Sequence, residues 1–136
     1  MKPSRDIQPF LQITAELGMD PEITPVSCPM KNSDGSFNGW GGAMGPAQFI
    51  PSTWVGYAAR VAQIVGRAIA DPWNIEDAFT ASAIKLANAG ATGKTAAAEI
   101  AASKAYFSGN SRCSTAVCNS YANNVQRVAA QLQQNL

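Results

Sequence analysis

Five stretches of this 136-residue chain repeat their apolar residues with a helical period, and each is opened or closed by a residue that favours a helix end. Asp6 can cap a helix through Ile7, Phe10, Leu11 and Thr14 that stops at Gly18. Pro51 suits the first turn of a helix carrying Trp54, Tyr57, Ala58, Val61 and Val65. Asn74 can cap a third, with Ile75, Phe79, Ala83 and Leu86 on one face and a stop at Gly90. Thr95 opens an alanine-rich helix to Phe107, and the last aligns Tyr121, Val125, Val128 and Leu132. No segment alternates convincingly as a strand does. The expected class is all-α, with alanines implying closely packed helices, in a single domain over residues 1–136.

Residues 19–43 are rich in Pro, Gly, Ser and Asn and read as one long loop, which in a small domain is usually functional or crosslinked. It runs into GWGGAMGPAQFIPSTW, residues 39–54, where Gly41, Gly42 and Gly45 surround Met44 and Gln48 follows. Those glycines permit positive φ and close backbone approach, to a ligand or to another helix. Gln48 offers a donor and an acceptor, which suits a neutral, amide-bearing polymer such as an N-acetylated glycan. The same residues also suit a tight turn into a core helix, with the amide as its cap.

Composition narrows the chemistry. Histidine is absent, which excludes Ser-His-Asp, Cys-His and His-metal sites. No cofactor or metal is expected. A net charge of +1 gives no electrostatic reason to bind nucleic acid, and no apolar run approaches a membrane span. The first residues lack the apolar core of an export signal. Cys113 and Cys118 can close a short disulfide loop if the segment between them is not wholly helical, leaving Cys28 unpaired or linked outside this chain. Three inert buried thiols are the alternative.

GGAMGPAQFIPSTW resembles the signature of lytic transglycosylases with a goose-type-lysozyme-like fold. ADPWNIEDAF (70–79), AYFSGN (105–110) and the closing YANNVQRVAAQLQ resemble later elements of that family in the right order, so the resemblance covers roughly residues 39–134. It implies cleavage of the β-1,4 bond between N-acetylmuramic acid and N-acetylglucosamine in peptidoglycan, with a 1,6-anhydro product and an exported location. It implies glycan contacts from Met44, Gln48 and Phe49, with Tyr106 on an opposite wall. One glutamate serves as acid and then base, its pKa raised by burial, as in substrate-assisted exceptions to the two-carboxylate scheme.

The family's glutamate precedes the GAMG segment, in a helix end that residues 1–40 do not reproduce. Glu16, in ITAELGMD, is the candidate acid, and Glu22 ranks below it; Glu76, Asp77 and Glu99 read as caps or solvated faces. The expectation is therefore a domain lacking its N-terminal part, with Cys28's partner there and with exposed apolar surface that promotes self-association. A glycan-binding relative without the acid is the second reading, and a helical interaction module unrelated to glycans is the third.

Overall fold

The computed structural model describes residues 1–135. Its helices are α1 (Pro3–Glu16), α2 (Pro51–Val65), α3 (Ile75–Asn88), α4 (Ala96–Ser108) and α5 (Ala116–Gln133), with a 3-10 turn at Ala91–Gly93. The all-α expectation holds. Its one addition is a small antiparallel ribbon of β1 (Met30–Lys31) and β2 (Phe37–Asn38) inside the long loop. The chain forms two compact units, Met1–Ser82 and Ala83–Leu136.

In the first unit α1 packs on α2. The α1 helix starts at Pro3, whose fixed φ suits a first turn, and Gly18 just beyond it adopts φ +66. It buries Phe10, Ile13 and Thr14, while Ile7 and Leu11 stay exposed. The two buried apolar side chains contribute roughly 2 kcal/mol each.

Asp6 corrects one expectation. It lies inside α1 rather than before it, and it caps a different helix. Its Oδ1 accepts from Ser52 Oγ at 2.7 Å and more weakly from Ser52 N at 3.4 Å, at the start of α2. The residue at the N-cap of α2 is Ile50, which has no side-chain acceptor. The carboxylate from α1 fills that role.

Burial alone would raise Asp6, but the hydrogen bonds from Arg5 and Ser52 and the Arg5 charge outweigh it and hold the carboxyl below its ordinary 3.8. A depressed carboxylate stabilises the fold fully above the unfolded value and loses that contribution as pH falls through the folded one. Below about pH 4, Asp6→Asn should therefore flatten the loss of stability with acid. Urea titrations at neutral and acidic pH check this; parallel curves for both proteins would refute it.

The α3 helix is capped as expected, with Asn74 Oδ1 accepting from Glu76 N at 3.0 Å and Asp77 N at 3.3 Å. Its inward face differs. Ile75 and Phe79 are 63% and 56% exposed, and Ala78, Ala81 and Ile84 are buried instead. The cause is Asp77. Its Oδ2 accepts from Asp71 N at 2.8 Å and its Oδ1 lies 3.3 Å from Arg67 Nε, which fixes the rotation of the helix about its axis. Asp77 is thus a buried anchor rather than a solvated or capping acid.

In the second unit α4 and α5 pack together. Thr95 Oγ1 accepts from Ala98 N at 3.2 Å and Gly109 closes α4 at φ +76. Small residues fill the buried positions: Ala102 and Ser103 on α4, Cys118 and Ala122 on α5. The expected α5 face is only partly inward. Tyr121 and Val125 are half-buried, whereas Val128 and Leu132 face solvent. Close packing of small side chains in the first two turns of α5 decided that face, over the larger residues further along.

Cys113 and Cys118 are bridged, with Cα atoms 6.0 Å apart, and Cys28 is exposed and unpaired. Residues 113–115 precede the helix, and Thr115 Oγ1 accepts from Cys118 N at 3.3 Å. So short a closed loop restricts the unfolded chain little. Replacing both cysteines by serine should cost about 2 kcal/mol at most, measured by urea denaturation; a loss twice as large would give the bridge a further structural role.

Candidate functional site

The glycine-rich loop is built on backbone contacts in the first unit. Val26 and Met44 pair as an antiparallel bridge, as do Met44 and Phe49. Ser27 N donates to Ala43 O at 2.8 Å, Gly42 N to Ser27 O at 2.7 Å, and Ala43 N to Ser27 Oγ at 2.9 Å. The chain then turns sharply at Gly45, φ +59, where a Cβ would overlap the carbonyl oxygen of Pro72. This glycine lets the GAMG loop sit directly on the ADPWN turn.

The ADPWN turn is itself locked. Asp71 Oδ1 accepts from Trp73 N at 2.8 Å, and Asp77 holds Asp71 N from below. The Trp73 indole donates to Pro25 O at 2.9 Å, which ties the turn to the long loop. Two motifs far apart in sequence thus meet. Between them lies a shallow groove lined by Val26, Ser27, Ala43, Gly45, Gln48 and Trp73, with Pro25 at its edge. No charged side chain lines it.

Gln48 is exposed at this groove with φ +55, a conformation that non-glycine residues rarely hold and that clusters at functional sites. Its Nε2 donates to Gly45 O at 2.8 Å, which ties the side chain to its own loop. Met44 and Phe49 lie beneath the loop. Met44 is wholly buried and Phe49 only 3% exposed, the latter edge-on to Trp54 and Tyr57 with ring centroids 5.7 Å away in each case. They support the loop from inside.

Glu16 ends α1, exposed, and accepts from Gln12 Nε2 at 2.8 Å. It borders a different groove, one formed with Ile13, Trp54, Val55, Ala62 and Ile69. Glu22 is also exposed, its backbone N–H donating to Asp20 in a local turn.

Tyr106 belongs to the second unit, half-buried on α4. Lys85 of α3 donates from Nζ to its carbonyl at 3.1 Å and stands 4.3 Å from the ring centroid. Burial pushes the Lys85 ammonium below its ordinary 10.5. The cation and the carbonyl contact together hold this tyrosine in place. Near the end of the same helix Phe107 stacks on Tyr121, centroids 4.7 Å apart.

Sequence reading missed Trp73, Ser27 and Val26 as groove residues. Trp73 stood inside a recognised motif, so its signal was present. Ser27 and Val26 carry no local signal, because only the pairing with residues 42–44 places them there.

In this mostly helical chain the glycine-rich turn and the DPWN turn wall a neutral groove. The profile of the transglycosylase SLT domain matches residues 7–134, and the chain belongs to that family. Comparisons with curated proteins and with solved structures found no match. The family acts on the cell wall, with peptidoglycan as the implied substrate. Among the described residues no helix is long and apolar enough to cross a membrane.

Proposed function

We propose that this chain binds peptidoglycan glycan strands in the Gln48 groove as part of a lytic transglycosylase that cleaves the N-acetylmuramic acid–N-acetylglucosamine β-1,4 bond. The observation that carries this reading is the charge-free groove where the two family motifs meet at Gly45 and Pro72. Gln48 offers its amide oxygen to a sugar hydroxyl or acetamido N–H, and the 43–45 backbone approaches the ring closely. Met44 and Phe49 act through the loop they support. Tyr106, held by Lys85, is a further proposed glycan contact within its own unit. The protein works in the cell envelope or outside the cell.

In the reaction a carboxylic acid donates its proton to the glycosidic oxygen as the C1–O bond breaks. The resulting carboxylate takes the proton of the C6 hydroxyl as O6 bonds to C1, so no water is consumed and the acid is regenerated. None of the residues lining the Gln48 groove is a carboxylate. We do not assign the proton donor to Glu16, which borders the other groove in contact with solvent. The same observation favours a second reading, a glycan-binding relative without the acid.

Release of 1,6-anhydromuropeptides from purified peptidoglycan separates these readings. This chain should release them slowly or not at all, and Glu16→Gln should change nothing. Robust release that vanishes in Glu16→Gln would make Glu16 the acid. Restored release when a glutamate-bearing segment of a family member is supplied would support the enzyme reading over the binding relative.

Gln48→Gly separates binding from folding. Glycine tolerates φ +55 without strain, so thermal stability should stay level or rise. Loss of one or two hydrogen bonds should weaken sedimentation with peptidoglycan roughly threefold to tenfold. Unchanged binding would remove Gln48 from the site.

A further inference from the structure

The wall of the groove continues into the β1–β2 ribbon, and the two are out of step. Met30 pairs with Asn38, and Val26 with Met44. Between those pairs lie residues 27–29 on one strand and residues 39–43 on the other, so the second strand carries two extra residues. Gly39, Gly41 and Gly42 take them up at φ +79, +63 and +87, and Gly41 folds back so tightly that a Cβ would meet Ser27 O at 2.5 Å and Pro29 N at 2.6 Å. The residue at the crest of this bulge is Trp40, 54% exposed. Bulges beside functional sites re-aim a side chain, and this one, built on glycines that take positive φ without strain, holds an indole in water at a cost in solvation. The lower end of the same ribbon, Val26, Ser27 and Ala43, lines the Gln48 groove.

We propose that Trp40 forms an additional glycan subsite, its indole stacking on the apolar face of a neutral sugar ring further along the strand from the ring at Gln48. This rests on the glycan-binding reading above. The occupant follows from continuity and charge. The ribbon joins the bulge to a groove lined by no charged residue, so a neutral glycan lying in the groove has a continuous path toward Trp40, whose carbonyl accepts from the Met1 ammonium while the indole stays exposed. Trp54 is buried in the core and Trp73 belongs to the Gln48 groove itself, so Trp40 is the exposed tryptophan beyond that groove. Its exposure also means that replacing it leaves the core intact.

The test titrates short and long N-acetylated chito-oligosaccharides into the wild-type chain, Trp40→Ala and Trp40→Phe by calorimetry. Trp40→Ala should lose roughly fivefold to tenfold in affinity for the long oligosaccharides and less than about twofold for those too short to reach beyond the Gln48 groove. Trp40→Phe, which keeps a ring face, should recover most of the loss. Equal losses at every length, or none at any, would overturn the subsite while leaving the groove assignment standing. A wild-type chain that binds no oligosaccharide of any length would overturn both. Dimerisation that disappears in Trp40→Ala, with glycan affinity unchanged, would make the indole a contact between copies and overturn the subsite.

Discussion

Gly45→Ala should lower stability by about 3 kcal/mol or more, and the thermal midpoint by roughly 10 °C. Two costs add. An alanine at φ +59 pays about 1–2 kcal/mol for the left-handed backbone alone. Its methyl would also overlap the Pro72 carbonyl oxygen, which is backbone and cannot rotate away. The GAMG loop must then lift from the ADPWN turn, and the groove between them opens. Gly66→Ala provides the control. Gly66 sits at φ +71 with nothing within 4 Å of its would-be Cβ, so only the backbone cost applies, about 1 kcal/mol. Equal losses for the two variants, read by calorimetry, would mean that contact with Pro72 does not anchor the loop. Gly45→Ala should also weaken peptidoglycan binding even at temperatures where the chain remains folded, and Gly66→Ala should not.

Trp54→Ala should cost about 3–5 kcal/mol, the range for removing a large buried aromatic side chain. Trp54 is 1% exposed in the first turn of α2 and meets Phe49 edge-to-face at 5.7 Å. Its loss leaves a cavity beneath the loop and removes the ring against which Phe49 is fixed. Trp54→Phe keeps part of the volume and should cost about 1–2 kcal/mol. The test is urea denaturation of both variants, with Phe49→Leu and each double mutant completing a cycle. A coupling energy near zero between positions 49 and 54 would refute the claim that the two rings support the loop as one unit.

Both predictions start from residues whose identity was plain in the sequence and whose partners were not. The glycines of GWGGAMG announced an unusual backbone, since few other residues reach positive φ without strain. What each glycine approaches was unreadable: Gly45 meets Pro72 and Gly41 meets Ser27 to Pro29. Close approach in this loop is to the chain's own backbone. Gln48 was legible as a polar residue among small and aromatic neighbours, and the structure places it at a groove with a positive φ. Trp40 stands in the same stretch with no local signal of its role. Its meaning depends on the two-residue excess in one strand of a ribbon that is too short to leave an alternating pattern.

Most helix starts and stops were determined by the sequence alone, because capping and proline chemistry act within about one turn of the chain; the start of α1, at Pro3 and not after Asp6, was the exception. Pro51, Asn74, Thr95 and the glycines at 18 and 90 each mark an end that the structure keeps. The family was also legible there, since its signature is a contiguous run of residues. Which faces are buried was decided only by the tertiary structure. Ile75 and Phe79 are larger and more apolar than Ala78 and Ala81, yet α3 turns the alanines inward because Asp77 is tied to Asp71 and Arg67. Asp6 reads locally as the cap of its own helix and instead caps α2, 46 residues further on. A side chain's local sequence fixes its chemistry and its backbone preference. Its partner is set by which distant segments pack against it.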